Sequence, residues 1–320
     1  MKIAAVVTCY NRKEKTLRFL RSIQQQTYQS LDVILVDASS IDGTAEAVRR
    51  HFPKVKILQV DDQCYWAAAT NHGVKAALDA GYDAILTIND DCTIVPNYVE
   101  RLAEIAQRND VKILASRIDY LGHPGLIWAL GTQVSWGIRI LQLAWHDVQE
   151  TDLPAAIRTA EVIDVEAAAG DGVLIHRSVF EQIGLYAEKL LPHYHADSEL
   201  ILRARKAGIR ACVTPQVVVY DDSPSPETQR HNAQQAFARP WLPEFIYTFF
   251  HQRSSWFLPT RVYLTWQYCP LPWKIATLLQ VTIVAMLGWL AKRQLKLLTM
   301  TLISLKSNSN KVVAKLLGLV

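Results

Sequence analysis

Short apolar runs alternate with stretches of helical spacing through the first 118 residues, and few architectures accept that order. The runs are Ile3–Val7, Leu31–Val36, Val55–Val60, Ala84–Ile88 and Lys112–Ile118, and each is about the length of a buried strand. Between them lie a helix from Lys13 to about Gln26, one opening near Trp66, and one over Pro96–Arg108. Strands regularly separated by helices predict an α/β fold with a mostly parallel sheet and helices on both faces. In such sheets ligands bind beyond the carboxyl ends of the strands, so the strand-to-helix turns are where function should concentrate.

The turn after Ala84–Ile88 reads Asn89-Asp90-Asp91. A hard divalent cation shared with a diphosphate needs about one or two such carboxylates, because phosphate and water complete its shell. The same acids could equally solvate a strand end and cap the next helix. After the first strand comes Thr8-Cys9-Tyr10-Asn11-Arg12, which has no glycine. Dinucleotide and P-loop folds need glycine there for backbone to approach phosphate, so NAD and ATPase readings lose most of their weight. After the second strand, Asp37-Ala38-Ser39-Ser40-Ile41-Asp42-Gly43-Thr44 suits hydrogen bonding to a base and ribose. An ordinary helix start capped by Ser40 or Asp42 explains it as well. The small residues of Trp66-Ala67-Ala68-Ala69-Thr70-Asn71-His72-Gly73 would let that helix lie close to a ligand or a neighbouring element, or are simply good helix formers.

Beyond Asp119 the alternation breaks. Residues 119–164 form an irregular, aromatic-rich stretch with Trp128, Trp136 and Trp145. β character returns at Val162–Ala168 and Val173–His176, on either side of Ala169-Gly170-Asp171-Gly172. A helix over Ser178–Ile183 stops at Gly184. Next, Leu191–Glu199 holds His193, His195, Asp197 and Glu199 just before a helix over Leu200–Ala207. A carboxylate at the mouth of that helix could be a general base or an N-cap. Arg203 and Arg205 follow on the helix, and a last strand, Ala211–Tyr220, ends in Asp221-Asp222.

Charge divides the chain. From Phe245 to Val320 there are nine Lys/Arg and no Asp/Glu, whereas residues 1–244 carry 25 basic and 30 acidic groups, a net of −5. The basic residues of the tail are interspersed with apolar ones, which points to an anionic membrane surface and not to nucleic acid. Aromatic residues from Trp241 to Trp273 crowd the approach to Ile275–Ala291, which is 17 residues without a charge. That run is at the lower limit for a span. It therefore reads as either a membrane-embedded or an interfacial helix, and Leu295–Val320 as a helix lying in the interface. Met1-Lys2 leads directly into Ile3–Val7, which is too short for a signal peptide. The five cysteines are widely spaced with no CxxC pair, fitting reduced thiols in a cytosolic compartment.

Taken together and in order, these segments resemble the family 2 glycosyltransferases of the GT-A fold, particularly their bacterial rhamnosyltransferase-like members. The resemblance covers about residues 1–222 and rests on the turns at 8–12 and 37–44, on Trp66–Gly73, Asn89-Asp90-Asp91, Ala169–Gly172 and Asp197–Gly208. It implies a GT-A domain over 1–225 and a membrane-associated helical region over 226–320. It also implies a nucleotide-sugar pocket walled by Thr8, Tyr10, Asn11 and Arg12, with Asp37 on the base and Ser39 and Asp42 nearby. Trp66, Asn71, Asn89 and Asp90 join that donor set. Asp91 matches the metal-binding carboxylate for Mg²⁺ or Mn²⁺, with Asn89 where the first Asp of a D-x-D triplet stands. Relatives often carry a metal-binding His after the last core strand; here Asp221 or Asp222 would substitute.

Asp197 matches the catalytic carboxylate, although Ala196 replaces the usual preceding Glu. Gly170, Asp171, His195, Glu199 and Arg203 fall on the acceptor side. The implied reaction is a single inverting displacement from a nucleotide-diphosphate sugar to a hydroxyl of a glycan or lipid-linked acceptor, in cell-surface polysaccharide synthesis. The expected location is the cytoplasmic face of the membrane, either peripheral or with one C-terminal membrane helix. A nucleotidyltransferase using a similar sheet is the nearest rival, but it would carry a Gly- and Arg/Lys-rich loop after the first strand. A non-catalytic scaffold would not need Asp91 and Asp197.

Overall fold

The computed structural model describes residues 1–224 and 240–294. β1 (Ile3–Cys9), β2 (Leu31–Asp37), β3 (Lys56–Gln59) and β4 (Ala84–Thr87) pair in parallel, with β1 between β2 and β4 and β3 outside β2. The helices between them are α1 (Lys13–Gln24), α2 (Thr44–His51) and α3 (Trp66–Asp79). The uninterrupted apolar runs are explained by burial on both sides. In β1, Ala4 and Val6 face the core layer under α3, while Ile3, Ala5 and Val7 face the layer under α1 and α4 (Tyr98–Arg108). The small residues of α3 serve this packing. Ala67 and Ala69 are buried, and a side chain at Gly73 would collide with Val6 of β1.

After β5 (Cys92–Ile94) and α4, β6 (Ile113–Tyr120) continues the sheet, and the chain then leaves it. Residues 119–164, expected to be irregular, instead fold into short strands: β7 (His123–Ala129), β8 (Thr132–Val134), β9 (Leu141–Leu143) and β10 (Val148–Gln149). β7 pairs back on β6 as a hairpin, and β8 with β9 makes a two-stranded ribbon. Sparse, interrupted alternation hid them. α5 (Ala155–Arg158) and the two-residue β11 (Ile163–Asp164) follow, and β12 (Val173–His176) re-enters between β4 and β6, antiparallel to both. The sheet is therefore mixed, in the order β10-β7-β6-β12-β4-β1-β2-β3. The reason is topological: the excursion returns from the carboxyl edge, where β6 ended, so β12 must run the other way.

α6 (Arg177–Ile183), α7 (Ala196–Lys206) and β13 (Ala211–Asp221) complete this part, with β13 parallel to β6. α7 starts four residues earlier than the sequence spacing predicts, so Asp197 sits inside its first turn instead of preceding it.

The remaining described helices are α8 (Trp241–Phe250), α9 (Leu258–Tyr268) and α10, which opens at Leu271 and runs through a π-helical turn at Gln280–Val284 to Gln294. α9 and α10 are fastened to the sheet region: Leu264 and Val281 belong to the same core layer as α3 and α7. α10 has 24 residues and is long and apolar enough to cross a membrane. Thr277, Val281 and Ala285 face inward, while Leu271, Ile275, Leu279, Ile283 and Leu287, each four residues after the last, face solvent. The predicted interfacial helix Leu295–Val320 lies outside the described residues.

Candidate active site

The carboxyl ends of β1, β2 and β4 bring three of the sequence-predicted turns together. At the end of β1, Asn11 adopts a left-handed backbone (φ 51°), which Asn tolerates better than most residues. Its amide N–H donates to Ser40 Oγ at 2.9 Å, and its Oδ1 accepts from Ile41 N at 2.8 Å. Asp42 accepts from Lys13 N at 2.9 Å and from Thr44 N at 3.1 Å, so it pins the start of α1 as well as its own turn. These bonds hold the asparagine and its partners in place and leave Tyr10 exposed above them.

Asp37 is fully buried: one carboxylate oxygen accepts from Ser40 N at 3.0 Å, and the other has no hydrogen-bond partner among the described residues. Ser39, also left-handed, donates to Val60 O at 2.7 Å.

Arg12 reaches across to the acids after β4. Its guanidinium pairs with Asp90 and, at 2.6 Å, with Asp91 Oδ2. Asp90 has no exposed surface and accepts from Thr16 Oγ1 at 2.8 Å. Burial, with Asp91 alongside, pushes its carboxyl up to about 6 against the pull of Arg12. Asp91 is the accessible member, and Lys15 stands 4.0 Å from it. A backbone bond from Asp222 N to Asp91 O, 3.0 Å, draws the end of β13 alongside. Asp222 is taken by Lys15 at 3.2 Å and Arg18 at 2.8 Å, whereas Asp221 is buried with one oxygen that has no hydrogen-bond partner among the described residues. Burial and the neighbouring Asp91 raise the Asp221 carboxyl. Of the two aspartates considered as substitutes for a metal-binding His, Asp221 is thus the one with an oxygen to offer.

Trp66 links this corner to Asp197. Its indole N–H donates to Asn89 Oδ1 at 3.2 Å, and its ring meets Tyr186 edge-on with centroids 5.4 Å apart. The far edge of the ring packs against Gly170, where an added Cβ would lie 2.9 Å from both Trp66 Cη2 and Asp197 Cβ. Only glycine fits between them. Gly170 N donates to Asp197 Oδ2 and Ser198 N to Asp197 Oδ1, each at 2.7 Å. Asp197 is only partly exposed and densely surrounded, and desolvation raises its carboxyl against those two N–H bonds. Asp171 is buried, accepts from Asn89 N at 2.8 Å, and is raised by burial and by Asp221. It supports the Asn89 turn from beneath.

Beside this row lies a cavity of about 270 Å³ whose wall includes Thr8, Tyr10, Arg12, Tyr65, Trp66 and Arg253. Asp91 and Asp197 adjoin it through Arg12 and Trp66 and do not themselves form its wall. A hollow of about 340 Å³ at the opposite, amino end of β2 has only Asp32 and Lys54 as charged groups.

Four residues expected to touch substrate, Asn71, Glu199, Arg203 and His195, are otherwise engaged. Both ends of the Asn71 amide are used: it donates to Tyr186 O (2.9 Å) and Glu188 (2.7 Å) and accepts from Tyr186 N (2.9 Å). It fastens α3 to the loop before α7. Glu199 has no exposed surface, pairs with Arg203 at 3.1 Å, and accepts from the Tyr268 hydroxyl of α9 at 2.6 Å. Arg203 donates onward to the carbonyls of Ile183 and Leu185. Together they form a structural clamp on the C-terminal helices. His195 likewise turns away, with Nε2 at 3.2 Å from Ser255 O; burial and Arg261 lower it to about 4. Sequence reasoning passed over Arg253, Tyr65 and His193 as pocket residues. Arg253 carries no motif and comes from an unrelated part of the chain.

The model for "Glycosyl transferase family 2" matches residues 4–184, more than half of the chain. An N-acetylglucosaminyl-diphospho-decaprenol L-rhamnosyltransferase of Mycobacterium tuberculosis is 24% identical over 295 residues, 85% of this chain and 89% of that protein. An undecaprenyl-phosphate mannosyltransferase of Micrococcus luteus is 25% identical over 54% of this chain and 73% of its own length. An uncharacterized glycosyltransferase of Bacillus subtilis is 30% identical, but the match spans 40% of that protein. Among solved structures, GalNAc-T7 with UDP, GalNAc and Mn²⁺ superposes with a TM-score of 0.58 at 15% identity, covering 83% of this chain and 50% of its own. Staphylococcus aureus TarS 1-349 gives 0.50 at 16% identity over 77% and 66%. Those likenesses are likenesses of fold, and they identify the sheet as GT-A. With strands, turns and acids in that arrangement, the chain belongs to glycosyl transferase family 2.

Proposed function

We propose that the protein transfers a sugar, with inversion, from a nucleoside-diphosphate sugar to a hydroxyl of a lipid-linked or glycan acceptor. The observation that carries this reading is the continuous row Arg12–Asp90/Asp91–Asn89–Trp66–Gly170–Asp197 along one cavity edge. It puts a charge-neutralising corner and a proton-accepting corner in one assembly. The names of the Mycobacterium and Micrococcus relatives, both acting on polyprenyl substrates, support a lipid-linked acceptor.

In this reading the acceptor oxygen bonds to the anomeric carbon while the bond from that carbon to the diphosphate breaks. The diphosphate leaves with the electron pair, and the acceptor proton passes to Asp197. The N–H bonds from Gly170 and Ser198 hold the carboxylate at the end of the row, and desolvation by the surrounding protein raises its proton affinity. The Trp66 ring stands between the two corners, touching Asn89 at one edge and Gly170 at the other. Arg12, Tyr10, Thr8 and Asp37 hold the nucleotide.

The residues fit a divalent cation shared with a diphosphate, not an all-protein cage. Among the described residues Asp91 is accessible, one oxygen of Asp221 has no hydrogen-bond partner, and no group of three metal-ligating side chains converges. Mg²⁺ or Mn²⁺ held by Asp91 and Asp221 would supply positive charge to the leaving diphosphate.

The test is release of nucleoside diphosphate across a panel of donors, dTDP-rhamnose first, with a polyprenyl-diphosphate sugar as acceptor. Acceptor-dependent release is expected. Release of pyrophosphate from a nucleoside triphosphate, or no turnover with any donor, refutes the reading. The solvent-facing apolar row of α10 and the nine basic residues beyond Phe245 support docking on the cytoplasmic face of the membrane, residues 1–225 carrying the chemistry. A chain ending at residue 239 should lose sedimentation with anionic liposomes, and equal sedimentation of both forms would count against it.

A further inference from the structure

The cavity wall includes two residues from outside the stretch that matches the family, His193 and Arg253, and of these Arg253 comes from the C-terminal helical segment. Arg253 lies in the loop between α8 and α9, and its guanidinium stands 5.2 Å from the Tyr65 ring centroid and 5.7 Å from that of Tyr10. Both are within cation–π range. A guanidinium lying over aromatic faces keeps its N–H edge available, and that edge matches the paired oxygens of a phosphate.

Its loop is pinned from both sides. Ser254 Oγ donates to Thr248 O at 2.6 Å, and Ser255 O accepts from Arg261 Nη2 at 3.2 Å and faces His195 Nε2 at 3.2 Å. Arg261 in turn stacks on Trp256, 3.8 Å from its ring centroid. Arg253 is therefore presented to the cavity by built contacts.

The two guanidinium groups in this wall differ in one respect. Arg12 is already paired with Asp90 and Asp91, whereas no carboxylate among the described residues lies within ion-pairing distance of Arg253. Its charge is felt in the cavity: burial, then Arg253 and Arg12, lower the neighbouring His193 to about 4, which keeps that ring neutral beside the cations. The wall also carries Asp62, but among the described residues no ion pair joins it to Arg253, so the guanidinium facing the pocket is left to take an anion.

We propose that Arg253, delivered by the C-terminal segment, binds the diphosphate of the donor nucleotide, so that the donor site is complete only when that segment is docked. The proposal rests on the donor-sugar reading above.

The test is calorimetric titration of the full chain with UDP, GDP and dTDP in Mg²⁺, and with the matching nucleosides by competition. For the nucleotide that binds wild type, Arg253→Gln should raise the diphosphate Kd roughly ten- to hundredfold, the worth of a charged hydrogen bond. The nucleoside Kd should stay within about twofold, since that ligand lacks the phosphates. Arg253→Lys, which keeps the charge but loses the fork, should fall between. An unchanged diphosphate Kd in Arg253→Gln overturns the proposal while leaving the donor reading intact. Equal losses for nucleoside and diphosphate overturn it in favour of a role in pocket shape. A change confined to the KM of a polyprenyl-diphosphate acceptor overturns it in favour of a lipid phosphate. Failure of wild type to bind any of the three diphosphates removes the donor reading itself, and this proposal with it. Arg253 is exposed, and an unchanged melting temperature in both variants checks that the fold is retained.

Discussion

The corner around Asp91 and the corner around Asp197 are both acidic, yet they are neutralised by opposite means. Asp90 and Asp91 are met by full charges, Arg12 and Lys15. Asp197 is met instead by hydrogen-bond donors, the backbone N–H groups of Gly170 and Ser198 among them. On the proposed reading, fixed cations suit a corner that would exchange one positive partner for another when a diphosphate and its metal bind. The N–H bonds favour the charged form of Asp197, but desolvation outweighs them and leaves its carboxyl raised, which suits a base. Glu199 is two residues from Asp197 on the same helix and differs again, being locked to Arg203 and Tyr268. Position on a helix does not assign a role; the partner of the carboxylate does.

The contrast can be broken by mutation, beginning with the largest effect. Asp197→Asn should reduce turnover by roughly 10²–10⁴, the usual contribution of a general base, with donor affinity preserved. Full activity in that variant would mean that the N–H-held carboxylate takes no proton. Glu199→Ala, by contrast, should act on stability, at about 3 kcal/mol, by leaving Arg203 without its buried partner. A denaturant midpoint equal to wild type would show that the clamp on α9 contributes nothing.

Asp91→Ala should weaken metal-dependent donor binding roughly tenfold, a modest loss because phosphate and water supply most of the shell. An unchanged Mg²⁺ titration of donor affinity would remove its assignment. The smallest effect concerns pH. His195 is lowered to about 4 in the folded chain against an ordinary 6.5, so the unfolded chain binds the proton more readily between those values. Stability from this group is present above about pH 6.5 and is lost as pH falls toward 4. Relative to His195→Gln, wild type should lose about 1–2 kcal/mol over that window, part of the full linkage being screened at its partly exposed edge. Parallel pH profiles for the two proteins would contradict the burial of a neutral ring.

Much of this was legible beforehand for a physical reason. Strands buried on both faces must be apolar throughout, as β1 and β4 are, and acids immediately after such a strand have few positions available to them. The turn residues at 8–12, 37–42 and 89–91 therefore emerged at one edge as expected. Asn71, His195 and Glu199 were misleading because polar residues near a site look alike in sequence whether they face a ligand or a neighbouring helix. Each is used up by a partner distant in the chain: Tyr186 and Glu188, Ser255, and Tyr268. No local pattern encodes those pairings.

The chain alone determined the alternating α/β order, the acids at the strand ends, the charge break after Glu244 and the family likeness, since each depends on composition and near-neighbour spacing. Only the folded chain decided that β12 enters antiparallel, that Trp66 and Gly170 join the two acidic corners, and that Arg253 reaches the cavity. Those are contacts between segments dozens to hundreds of residues apart. They are fixed by which surfaces can be buried together, and that is a property of the whole core and of no single stretch.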